Sequence, residues 1–338
     1  MTENRQRIRI VVRLFLAFAA LSGFLLASAC GTKGGSGGEE TAGGGKTGGY
    51  TVTDVRGRTV HLAGKPQRIV SLTYGTDEIL LAVTGEQRIA AFSRWAGEPG
   101  ITFITKEEAD RVGKLHSLAS EEILRHRPDL IVASVATAPE LVKTLEQMNV
   151  PVYLAGSPDT YDEMKAKVTG VADAVGEPER GRAVTDRMDR DMAALEQRLS
   201  RLPKERERTA VAFNFVGAMG YRDGLIDHML RLAHIRNGAA LGGLNARGQT
   251  LSKEQVVAVN PDVFLLPTWN YDKKQDVEAY AAQIASDPAY RTVKAVQSHR
   301  LLFVSDRYRY VASQYLPEAV EAFARAVYPE LFTQEGLQ

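Results

Sequence analysis

Past residue 49 the apolar and polar positions settle into two alternating kinds of run. Thr51-Val52-Thr53 and Thr59-Val60-His61-Leu62 alternate around Arg56-Gly57, which predicts a short hairpin. Beyond Pro66 the period of two gives way to short continuous apolar runs: RIVSL, RIAAF, DLIVAS and PVYLAG, then TAVAFNF, DVFLLP and RLLFVS. Continuous apolar runs are what parallel strands show when helices cover both faces of their sheet. Helical periods lie between them. Thr76-Asp77-Glu78 opens one helix and Gly85 ends it. Tyr161 to Val175 makes another, Gly176 interrupts it, and Pro178 suits the first position of the next. There Val184, Met188, Met192, Leu195 and Leu199 form an apolar stripe that Pro203 stops. About 23 residues at roughly 1.5 Å each span about 34 Å, enough to bridge two small lobes. The same stripe would also suit a surface helix inside one domain. The pattern predicts an α/β chain with one lobe over 50–160, a helical connection over 161–203, and a second lobe over 204–338.

The first 29 residues follow a different rule. Arg5, Arg7, Arg9 and Arg13 precede the uncharged run LFLAFAALSGFLLASA, which ends in small residues directly before Cys30. A run of about 16 is short of the roughly 20 a membrane span needs, so the segment reads as an export signal. Cys30 is the only cysteine and has no disulfide partner within the chain. Its position after Ala27-Ser28-Ala29 resembles a bacterial lipobox in which Ala27 stands where leucine is usual. Acylation there would anchor the protein to a membrane. Residues 30–49 are Gly-rich and read as a flexible tether; GGGKT within it lacks both the spacing and the preceding strand of a phosphate loop.

Composition changes this picture little. The chain has 338 residues, 42 basic against 41 acidic, and a formal net charge of +1, so no global field favours nucleic acid. The six histidines show no i, i+4 pair or other compact metal-ligand spacing. No nucleophile elbow, H-E-x-x-H pair or complete phosphate loop is present, which argues against an enzyme.

One motif occurs twice. EEILRHRPDLIV at 121–132 returns as EQVVAVNPDVFL at 254–265. In each copy an acidic residue starts a short helix, an apolar pair packs it on the sheet, and Pro-Asp ends it before a buried strand. Glu121 and Glu254 would occupy equivalent helix starts on the two lobes, where the dipole favours a carboxylate.

These stretches, with PQRIVSLTYGTDEILLAVTGEQRIAAF, VGKLHSLASEEILRHRPDLIVAS, the single long linking helix and the closing VQSHRLLFVSDRYRYVASQYLPEAVEAFARAVYPE, resemble the iron-siderophore and cobalamin substrate-binding lipoproteins of bacterial ABC importers. The resemblance covers roughly residues 50–330. It implies two Rossmann-like lobes joined by one long helix, as in class III periplasmic binding proteins, with the ligand cleft between them. It further implies a monomer outside the cytoplasmic membrane, whose partners are an ABC permease and its ATPase subunits. Glu121 and Glu254 match the acidic residues that dock on the permease.

Ligands of open α/β sheets bind beyond the carboxyl ends of the strands. The residues there are aromatic and cationic: Tyr74, Arg94, Trp95, Tyr221, Arg222, Trp269, Tyr271, Arg307 and Tyr308, with Met219 and Tyr310 close by. Trp95, Trp269 and Arg307 are the foremost candidates. Such a set suits a large, partly aromatic, anionic ligand. A ferric siderophore fits best. Cobalamin fits the aromatics but needs fewer arginines, and haem would require an axial tyrosine or histidine, for which Tyr74, Tyr221, Tyr271 and Tyr308 are equal candidates. The ligand is cargo, and no cofactor is expected. A lipid-anchored sensor with the same fold is the remaining reading.

Overall fold

The computed structural model describes residues 48–270 and 276–333; the signal segment, Cys30, the tether up to residue 47, and Tyr271 lie outside the described residues. The chain enters through the hairpin of β1 (Tyr50–Thr53) and β2 (Thr59–Leu62), antiparallel with Tyr50 opposite Leu62. Its turn is held by Asp54, whose carboxylate accepts the backbone N–H groups of Arg56 and Arg58.

Four parallel strands follow: β3 (Ile69–Ser71), β4 (Ile89–Ala91), β5 (Leu130–Ser134) and β6 (Val152–Ala155), in the order β4-β3-β5-β6. The second sheet contains β7 (Thr209–Asn214), β8 (Gly217–Met219), β9 (Arg236–Asn237), β10 (Val263–Leu266) and β11 (Leu301–Phe303). Here β11, β10 and β7 run parallel, and β7 also pairs with antiparallel β8 and parallel β9. In β5, Leu130 and Val132 join the large core shared by both lobes, while Ile131 and Ala133 join a core on the outer face. In β10, Val263 and Leu265 face the shared core and Phe264 and Leu266 face another. Burial on both faces is why these strands read as continuous apolar runs.

The first long helix, Tyr74–Thr84, starts two residues earlier than the charge pattern predicts, because Thr73 is its cap and accepts the Thr76 N–H. That shift puts Asp77 and Glu78 inside the helix, both buried. Helix Tyr161–Ala174 leads to the 22-residue helix Pro178–Leu199, whose Met188, Leu195 and Leu199 are buried in the shared core. The two helices cross at Gly181, where a Cβ would lie 2.5 Å from that of Ala172. The closing helix Leu316–Val327 packs on both Pro178–Leu199 and Leu225–Leu232.

The repeated motif is now explained in atoms. Helix Ser120–Arg125 leads to β5 and helix Lys253–Val259 leads to β10. Asp129 accepts the N–H groups of Gln67 (2.6 Å) and Arg68 (2.9 Å), just ahead of β3, and Asp262 accepts that of Thr209 (2.8 Å) at the start of β7. Each Pro-Asp thus ties its strand to the neighbouring strand's beginning, and both lobes need that tie.

Candidate functional site

A cavity of about 700 Å³ opens between the lobes at the carboxyl ends of both sheets. From the first lobe it is lined by Thr73 and Tyr74 after β3, Ser134 at the end of β5, and Ser157 and Asp159 after β6. From the second come Asn214, the β7–β8 hairpin, Tyr221, the 246–250 loop and Arg309–Ala312. Strand ends converge there because in a parallel sheet every connecting loop at that edge is free of the ladder.

Of the residues the sequence singles out, Tyr74, Met219, Tyr221 and Tyr310 line the cavity. Tyr74 donates its phenol to the carbonyl of Tyr310 (2.8 Å), and burial raises its pKa. Tyr221 donates to Asp159 (3.2 Å). Trp95, Trp269, Arg307 and Tyr308 lie outside the lining and close a seam where the lobes touch, and Arg94 and Arg222 also lie outside the lining. Trp95 and Trp269 meet edge to face at 6.0 Å. The Trp269 indole donates to Glu98 (3.1 Å), and its ring rests on Gly100, where a Cβ would come within 2.0 Å. Arg94 is exposed and lies 4.6 Å over the Trp95 ring. Arg307 lies 5.0 Å from the rings of Phe103 and Tyr308, and Phe103 stacks on Tyr315 at 4.1 Å. Arg222 is exposed and donates to the Ala240 carbonyl (2.8 Å) and to Asn245 (3.2 Å). Aromatic faces at facing strand ends bury one another as readily as they stack on a ligand, which is why composition did not separate the two groups. Glu121 and Glu254 are both exposed in the first turns of their helices.

The cavity's charge comes from residues the sequence reading missed. Arg309, two places beyond the chosen Arg307, has a fully buried side chain that donates to Asp306 (3.0 Å), to the Phe213 carbonyl and to Met219 Sδ (3.0 Å). Asp306 in turn accepts the N–H groups of Thr268 (2.6 Å) and Trp269 (2.8 Å), so this pair holds the seam and the cavity wall together. Arg247 lines the opposite side, with its guanidinium hydrogen-bonded to Tyr221. Lys167, from helix Tyr161–Ala174, forms part of the floor and donates to the Ala312 carbonyl (2.7 Å). Burial lowers its pKa to about 8, partly offset by Glu78. Among the described residues Asp159 is the one acid in the lining.

Beneath the floor, Glu78 fastens the lobes. Its carboxylate accepts from Thr102 (2.8 Å) and the Phe103 N–H (2.9 Å) of its own lobe and from Ser313 of the other (2.5 Å), while Gln314 donates to its backbone carbonyl (2.9 Å). Burial raises its pKa against these bonds. Among the described residues no group of three His, Cys, Asp or Glu side chains could hold a metal ion, and no helix is long and apolar enough to cross a membrane.

Residues 69–308 match the family model described as periplasmic binding protein. The uncharacterized ABC transporter substrate-binding lipoprotein YvrC of Bacillus subtilis is 21% identical over 84% of this chain and 87% of its own length. The probable siderophore-binding lipoprotein YfiY of the same organism is 25% identical over 86% and 90%. Among solved structures, the periplasmic heme-binding protein RhuT from Roseiflexus sp. RS-1 superposes with a TM-score of 0.66 at 23% identity, covering 78% of this chain and 99% of that one. That likeness establishes the fold, two parallel-sheet α/β lobes of the class III kind.

Proposed function

The chain belongs to the periplasmic binding protein family, and from that premise we propose that it captures a ferric siderophore chelate outside the cytoplasmic membrane and delivers it to an ABC permease. The observation that carries this reading is the interlobe cavity of about 700 Å³, within the range of small-molecule sites, with Lys167, Arg247 and Arg309 against the single acid Asp159. Three cations and three tyrosines on a largely apolar wall suit a bulky chelate with anionic oxygens at its surface. The siderophore-binding relative supports the same choice. The protein acts by binding and release, with no chemistry of its own and no resident cofactor.

In this reading Cys30 carries the lipid anchor, the Gly-rich segment is the tether, and the monomer docks through Glu121 and Glu254 on cations of the permease. Both carboxylates are exposed at equivalent helix starts, which supports that role. Release follows from the permease preferring a lobe arrangement with lower affinity for the solute.

The test is calorimetric titration of the full chain without its signal segment against ferric hydroxamate and catecholate chelates, cobalamin and haem, with tryptophan fluorescence followed in parallel. Saturable binding of one ferric chelate is expected. Because Trp95 and Trp269 sit in the seam, their signal reports rearrangement of the lobes. Binding of cobalamin or haem alone would replace the solute and leave capture and delivery standing.

A further inference from the structure

Lys167 is buried, with 7% of its surface exposed, and it borders the cavity. Its ammonium gives one hydrogen bond, to the Ala312 carbonyl at 2.7 Å, and makes no ion pair within 4.0 Å among the described residues. Glu78 is the carboxylate that acts on it electrostatically, but both Glu78 oxygens are already taken by Thr102, Phe103 and Ser313. A buried ammonium without a counter-ion is costly, and it keeps two N–H donors in hand. The open cavity is where a counter-ion can enter.

We propose that Lys167 is a ligand-contacting residue that sets the charge of the solute: its ammonium pairs with an anionic oxygen at the cavity floor, so an anionic solute is taken over a neutral one of similar size. The inference rests on the interlobe cavity being the solute site and adds the charge class to it. The Ala312 carbonyl, itself in the cavity wall, holds the ammonium at that floor. Arg309 cannot take this role as fully, because Asp306 neutralises it at 3.0 Å.

The titratable groups that line the cavity with Lys167 are Tyr74, Asp159, Tyr221, Arg247, Arg309 and Tyr310, and Glu78 acts on it electrostatically from helix Tyr74–Thr84. Because burial holds the free Lys167 near a pKa of about 8, anion affinity should be full below that pH and fall as pH rises through it. Substitution of Lys167 should abolish that slope, whereas a slope caused by the other groups would persist.

The experiment compares a neutral ferric tris-hydroxamate with an anionic ferric tris-catecholate on wild type, Lys167→Gln and Lys167→Met. Gln retains a donor for Ala312 and removes the charge. Wild type is expected to prefer the anionic chelate, and both variants to lose roughly tenfold or more of the anionic-over-neutral affinity ratio. A wild-type preference for the neutral chelate, or a preference that survives in Lys167→Gln with an unchanged unfolding midpoint, overturns the inference and leaves siderophore capture intact. If wild type binds neither chelate, siderophore capture fails, and NMR titration of the Lys167 ammonium with haem, ferric citrate and molybdate decides separately. A raised Lys167 pKa with any of them sustains the inference; no shift with all of them overturns it.

Discussion

Asp77 is a carboxyl group in a place where ionisation is costly. It is fully buried, takes the Ser93 N–H at 2.9 Å and the Ser93 hydroxyl at 2.6 Å, and burial raises its pKa from 3.8 to about 7. A raised acid pKa means the folded state holds the proton more tightly than the unfolded one. Its stabilising contribution is complete below pH 3.8 and is lost as pH rises through about 7. Asp77→Asn should flatten that part of the stability profile and raise stability above pH 8 by about 1–3 kcal/mol, read by urea unfolding across pH. An unchanged pH profile would show that Asp77 is not the group responsible. The sequence holds a comparable signal at Lys167: it interrupts the apolar stripe of Met164, Val168 and Val171, where helical spacing calls for a buried residue. Lys167 was legible there as an anomaly. Its carbonyl partner and the cavity beside it, some 145 residues away in the chain, were not.

At the scale of elements, the helical connection depends on how closely Tyr161–Ala174 and Pro178–Leu199 approach. Gly181 sets that distance, since its missing Cβ leaves room for Ala172. Gly181→Leu should force the helices apart and cost about 1–3 kcal/mol by overpacking, seen as a lower urea midpoint. A midpoint equal to wild type would mean the pair can open without loss. Periodicity revealed these helices well because both have one buried face. It placed the long helix at Pro178 as observed and foresaw the strands, since apolar runs covered on two faces have few other homes. It misjudged the start of Tyr74–Thr84, where the acidic pair marking a helix opening is instead interior and buried.

For the whole molecule, the proposed function requires two independent surfaces: a cavity between the lobes and a face that presents Glu121 and Glu254. Reversing both to Lys should abolish solute uptake in reconstituted permease while calorimetric affinity for the solute stays at the wild-type value. Reduced affinity would place the two residues in ligand binding and end the docking reading. The sequence by itself determined the lobes, their strands, the linking helix, the paired Glu-to-Pro-Asp motif and the family resemblance. All of these depend on local periodicity and on short-range order along the chain. Only the tertiary structure decided which strand-end residues line the cavity. Tyr74, Met219, Tyr221 and Tyr310 reach the cavity, whereas Trp95, Trp269, Arg307 and Tyr308 close the seam. Lys167, Arg247 and Arg309 supply the charge there. That division depends on how two lobes, distant in sequence, meet across their strand ends, and no periodicity within either lobe encodes the meeting.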